Sequence, residues 1–131
     1  MNTRKGLLLP AYPSVRSFTG RASVLREHWV PLFEEAGVRV AFENHDHAYE
    51  RTVPIRAVRE DPDGIVYIGD GAWGVPVRPV HEARDTWYLE KSMPVRHFIL
   101  LTIHGESQDM KMIDEEGTLI AHHVSRPWVP P

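Results

Sequence analysis

The sequence predicts an α/β chain of the α+β kind, with one main helix among short strands and then an antiparallel β-meander. Three observations predict it. Apolar residues recur at helical spacing between Ala22 and Ala36. A short β-branched run, Val38 to Phe42, follows that stretch at once. From Val95 onward, three strand-like stretches are separated by turns that carry glycine.

Taken in order, "GLLL" (Gly6 to Leu9) is a short apolar run stopped by Pro10, and reads as a brief strand. "AYPSVRSFTGRAS" holds two turn signals, Pro13 and Gly20, and reads as loop. In the helix, Leu25, Trp29 and Phe33 lie four apart, with His28, Leu32 and Ala36 on the same stripe and Gly37 as the stop. Pro31 removes one helical hydrogen bond and predicts a kink. His28 reads as a half-buried packing residue.

"VRVAF" then forms an αβ unit with the helix, which suggests a largely buried sheet with room for parallel pairing. "RTVPIRAV" is extended, but Pro54 keeps it out of a central ladder. "EDPDG" is a turn, and "IVYI" (Ile65 to Ile68) is a second apolar strand that ends in "GDGAWG". The segment 75–93, with its prolines, Trp87 and Tyr88, reads as irregular surface. "VRHFILLTIHG", "SQDMKMIDEEG" and "TLIAHHVS" are the meander, and "RPWVPP" is a tail. The expected division is a domain over 1–124 and a tail over 125–131.

A chain of 131 residues favours one domain with a modest core. A net charge of −3 supplies no global field for nucleic acid or an anionic membrane, so neither is expected as a partner. No apolar run approaches the ~20 residues of a membrane span. The N-terminus lacks the apolar region of a signal peptide, and a cytoplasmic location is the default expectation. Cysteine is absent, which excludes disulfides and thiolate metal sites, whereas eight histidines hint at chemistry.

The hint concentrates in "VRVAFENHDHAYERTVPI" (Val38 to Ile55), where an apolar strand empties into Asn44, His45, Asp46 and His47. In an extended or turning backbone, residues two apart can point the same way, so the two imidazoles can converge. They stand just past the carboxyl end of the strand, where open α/β sheets place ligands. A divalent transition metal fits this pattern, and so does a polar Asx turn with solvated histidines. Asp46 lies between them, and alternation aims it away. Asp70 ends the next strand and is a further candidate ligand, although Gly-Asp-Gly also reads as a plain turn. His81, His104, His122 and His123 read as solvated or strand-face residues.

"NHDHAYERTVPI" resembles the last metal-binding motif of the calcineurin-like metallophosphoesterases, in particular the purple acid phosphatase branch, where Gly-His-x-His is followed by Ala-Tyr-Glu-Arg. The leading "REHWVPLFEEAGVRVAF", the later "VYIGDGAWG" and the upstream "AYPSVRS" are similar to that branch too, so the resemblance runs from about Leu8 to His123. It implies part of a metallophosphoesterase sandwich, a bound Zn, Mn or Fe, and a phosphate ester substrate. His45 and His47 carry over as metal ligands. The branch's earlier ligand motifs have no counterpart here, the expected histidine before "PAY" is Leu8, and the motif's opening glycine is Asn44.

Glu50 and Arg51 are expected to form an ion pair that holds the turn, with Glu50 supporting the histidines from behind. Tyr49 is expected to line the pocket or pack. Two imidazoles fall short of the three protein ligands that a hydrolytic zinc normally keeps. A partial sandwich also leaves a strand edge and an apolar face to be covered. A homo-oligomer or a complementary N-terminal chain is therefore expected. The leading function is a metal-dependent phosphoester hydrolase of reduced or oligomer-completed site and weak activity. A non-catalytic metal-binding or interaction remnant is the alternative, and a truncated product stabilised by association is a third.

Overall fold

A computed structural model describes residues 9–125. Most of the "GLLL" stretch, Leu8 included, and the "RPWVPP" tail lie outside the described residues. The helical stretch spans its expected range but is divided at Trp29 into α1 (Arg21–His28) and α2 (Val30–Glu35). Pro31 causes the division and then fits, because in the first turn of α2 its missing N–H costs no helical bond.

The break also turns the apolar stripe. Val30 goes inward, whereas Leu32 is 56% exposed. His28 is exposed as well, not half-buried, because it ends α1 on the solvent side of the break. Leu25 and Phe33 keep their places against the core.

The strands are β1 (Val40–Glu43), β2 (Tyr49–Thr52), β3 (Ile55–Arg56), β4 (Arg59–Glu60), β5 (Val66–Asp70), β6 (Leu89–Met93), β7 (His97–His104), β8 (Ser107–Asp114) and β9 (Leu119–Ser125). The main sheet has the order β1-β5-β2-β6. β1 and β5 run parallel, as the αβ reading allows, while β2 is antiparallel to both β5 and β6. Pro54 stands just beyond β2, outside the ladder. β6 lies in the segment expected to be irregular, and there the structure corrects the sequence reading. β7, β8 and β9 form the expected meander as a second sheet.

Alternation sorts the main sheet into two faces. Ala41 and Tyr67 face the helices and the 11–18 loop, in a core with Ala11, Tyr12, Val30 and Tyr88. Val66 and Ile68 face the meander, where Tyr49, Met110 and Met112 close a second core. The central sheet is thus covered on both sides.

Arg26 fastens the 11–18 loop to α1. Its two terminal nitrogens donate to the carbonyls of Ala11 and Phe18, and its guanidinium lies 3.6 Å from the Phe18 ring centroid. Arg26→Ala strands carbonyls in a buried place and removes the cation–π contact. It is expected to cost about 2–4 kcal/mol in a urea titration. Arg26→Lys recovers only part of this, because an ammonium cannot span both carbonyls as a fork does.

Candidate metal site

β1 ends at Glu43, and the chain turns through 44–48 into β2. Two contacts hold this turn. Gly71 backs against it so closely that a Cβ there would stand 2.0 Å from the Asn44 oxygen and 3.1 Å from the His47 nitrogen. Asp46, which is buried, accepts hydrogen bonds from the Val15 amide at 2.7 Å and the Arg16 amide at 3.4 Å. Asp46 therefore points away from the histidines and into the 11–18 loop, as alternation requires.

His47 has a φ of +54°, a left-handed conformation that costs a non-glycine residue about 1–3 kcal/mol. Its ring is oriented by the Pro76 carbonyl, 3.2 Å from Nδ1. With the proton on Nδ1, Nε2 is left bare, which is how metal-binding histidines are commonly held. His45 lines a cavity against the 9–22 segment. Its pKa is lowered, first by burial and then by the charge of Arg16, with Arg78 and His47 adding to the effect against the pull of Asp46. A neutral imidazole is the form that binds a metal.

Asp70 ends β5 opposite Tyr49, but its carboxylate lies on the meander face, 3.9 Å from His97 Nε2. Burial raises its pKa, and His97 pulls the other way. Among the described residues, no three His, Asp or Glu side chains converge as a metal-binding group. The fit to a metal is therefore partial. His45 and His47 suit two positions of a coordination shell, and no hydrolytic centre is enclosed by the described residues.

Glu50 and Arg51 do not form the expected ion pair. They are neighbours on β2 and point to opposite faces. Arg51 bonds Glu90 at 3.0 Å and the His122 carbonyl at 2.9 Å on the meander side. Glu50 accepts the Ser14 amide at 2.9 Å on the loop side. Tyr49 packs in the core between the sheets, its ring edge-on to His97 at 5.3 Å. Among the other histidines, His81 bonds the Arg16 carbonyl and His122 bonds Asp109.

The sequence reading missed three features. Buried His97 bridges the two sheets through the Gly69 carbonyl, 3.1 Å from its Nε2. Glu43 accepts the Ala11 amide at 2.6 Å. Arg16 stands beside His45 in the same cavity. Only Glu43 had a signal, as a carboxylate ending an apolar strand.

No family model matches the chain, and no curated protein matches it by sequence. Its fold is shared by solved structures, including the following two. One is described as GAP50, the anchor in the inner membrane complex of Plasmodium, with a TM-score of 0.68 and 18% identity over 93% of this chain and 35% of that one. The other is the purple acid phosphatase PPD1 from yellow lupin (Lupinus luteus) seeds, with a TM-score of 0.64 and 19% identity over 74% of this chain and 19% of that one. The chain has a mixed α+β fold like that of the matching part of each of these two structures. It spans about a third and a fifth of these two proteins.

Proposed function

We propose that this chain is the histidine-bearing part of a metal-dependent phosphoester hydrolase, with His45 and His47 as two ligands of a divalent Zn, Mn or Fe ion. The observation that carries this reading is His47 itself. It is kept in a costly backbone conformation with Nδ1 at the Pro76 carbonyl, so that Nε2 is available. An ion held there would lower the pKa of bound water and polarise a phosphoryl oxygen. The chain's own residues orient the His47 ring, and burial and the charge of Arg16 lower the pKa of His45.

The remaining ligands come from another chain, either a second copy or a complementary N-terminal chain. The surface supports this partnership: on β7, Phe98, Leu100 and Ile103 are exposed, and β7 is an edge strand of its sheet. Asp70 enters the shell only if its contact with His97 is given up.

The test is zinc titration and elemental analysis, followed by hydrolysis of an aryl phosphate with and without added Zn, Mn or Fe. His45→Ala and His47→Asn are expected to weaken zinc binding by about tenfold or more. Asparagine tolerates the left-handed conformation, so His47→Asn should keep the fold. Metal affinity and hydrolysis that are unchanged in both variants defeat the reading. Zinc bound through both histidines without hydrolysis, at any protein concentration in sedimentation, selects the second reading, a non-catalytic binding domain. The likeness to a protein described as an anchor favours that alternative.

A further inference from the structure

We propose that β7 is a docking edge for a second copy of this chain, whose own β7 pairs with it antiparallel about a two-fold axis at Leu101. The pairing joins two three-stranded meanders into one continuous sheet. Among the described residues, β7 has a neighbouring strand on one side only, β8. Its sequence, "HFILLTIH", holds no proline, glycine or formally charged residue. Its ladder with β8 runs from His97 to His104 without a bulge. Sheet edges that must stay single normally carry one of these devices. The opposite edge, β9, is treated differently. Its ladder shifts register between Met112 and Ile113, and Arg51 and Lys91 donate to the carbonyls of His122 and Ile120.

Side chains select the partner and the register. A two-fold axis perpendicular to the sheet keeps each face on its own side, so facing residues come from the same face of both strands. With the axis at Leu101, Ile99 faces Ile103 of the second copy, and the two Leu101 residues face each other. This stripe lies towards the main sheet and outruns it. Ile99 packs against the second core, whereas Ile103 is 61% exposed. Pairing gives Ile103 an apolar cross-strand neighbour. Just beyond the ladder, Arg96 stands opposite Glu106 of the second copy, and symmetry repeats that pair at the other end. Both residues are exposed, and the contact of Arg96 with Glu115, at 3.5 Å, is a surface pair of little worth. An axis at Leu100 would set Arg96 against His104, and one at Thr102 would set Phe98 against Glu106. Of these three axes, Leu101 alone brings opposite charges together, and this self-complementarity is what fits a second copy. The pairing names the second chain that the proposed function calls for, but it stands without the metal.

The test is sedimentation of the full chain, free of metal, over a range of concentrations, so that zinc binding by His45 and His47 is judged separately. A monomer–dimer equilibrium in the micromolar range is expected. Ile103→Lys, at an exposed position, should keep the fold by circular dichroism and weaken the dimer about tenfold or more. Arg96→Glu should weaken it about tenfold, because attraction becomes repulsion at two places, and Glu106→Arg should do the same. The two reversals together should restore the parent affinity. The chain has no cysteine, so Leu101→Cys offers a single thiol. Mild oxidation should link it to its counterpart, since facing Cα atoms in such a ladder lie about 5.5 Å apart. Leu119→Cys, exposed on β9, should cross-link far more slowly. A chain that stays monomeric at every concentration overturns the proposal and leaves the edge to a different protein. Association that Ile103→Lys leaves intact overturns it too, as does a double reversal that recovers nothing of what each single change lost.

Discussion

Gly71→Ala is expected to destabilise the protein by about 3 kcal/mol or more, among the larger effects of a single substitution. A Cβ at this position would lie 2.0 Å from the Asn44 oxygen and 2.6 Å from the Asn44 carbonyl carbon. Both are backbone atoms, so no side chain can swing aside to make room. Either β5 separates from the turn or the turn moves. The turn cannot move alone, because Asp46 ties it to the 11–18 loop and His47 is already in a left-handed conformation. Denaturant unfolding should show the loss directly. Amide resonances should move at residues 44–48 before those of the meander. A loss below about 1 kcal/mol would mean that Gly71 does not back the turn as described. Zinc affinity should fall with stability in this variant, whereas His47→Asn should lower affinity alone. The pair of variants therefore separates the scaffold of the turn from its ligands.

What could be read from the sequence follows from what local pattern encodes. The meander was legible because its strands are long and two of its turns carry glycines at positive φ, Gly105 and Gly117. β1 and β5 were legible as uninterrupted apolar runs. β6 was not, because "LEKSM" has one buried residue followed by exposed and half-buried ones, and only pairing with β2 makes it a strand. The division of the helix was foreseen at Pro31, but its effect on burial was not: a restart at Val30 turns the following residues about the axis and exposes Leu32.

In the site, the histidine turn stood out because polar residues end an apolar strand. The faces of Glu50 and Arg51 followed from alternation alone, yet their adjacency in sequence suggested a pair. His97 was hidden within an apolar strand, and its role as a bridge depends on a contact 28 residues away. The cavity beside His45 was out of reach for a similar reason, since Arg16 meets His45 only after the loop folds back. Arg16 is an ordinary surface residue until Asp46 fixes it.

The protein is expected to lose stability as pH rises from about 5 to about 8, and buried Glu43 and Glu50 are the cause. Both stand opposite Gly69, on strands to either side of it, and so point to the same face. Gly69 has no side chain, and Glu50 lies across it, since a Cβ there would be 2.4 Å from Glu50 Cγ. Burial pushes Glu43 up to about 8, against the hydrogen bonds from the Ala11 and Tyr12 amides, and Asp46 adds to the rise. Burial also pushes Glu50 well above the usual carboxylate range, with Glu43 and Asp46 raising it further. Each folded-state pKa thus lies above its unfolded value, so the folded protein holds protons that the unfolded chain releases. The stabilisation from a held proton is complete below the unfolded pKa of about 4.5 and is lost as pH climbs through the folded value. For Glu43 the window runs from about 4.5 to about 8, with a slope of up to ~1.4 kcal/mol per pH unit for one proton. Urea unfolding at half-unit steps should trace this decline. Glu43→Gln, which keeps the shape and stays neutral, should reduce the slope, with Glu50 carrying what is left, and make the variant the more stable protein at pH 8. A parent curve that is level from pH 5 to 8 would show that neither buried glutamate holds a proton at neutral pH, and a Glu43→Gln curve parallel to a declining parent would remove Glu43 as the cause.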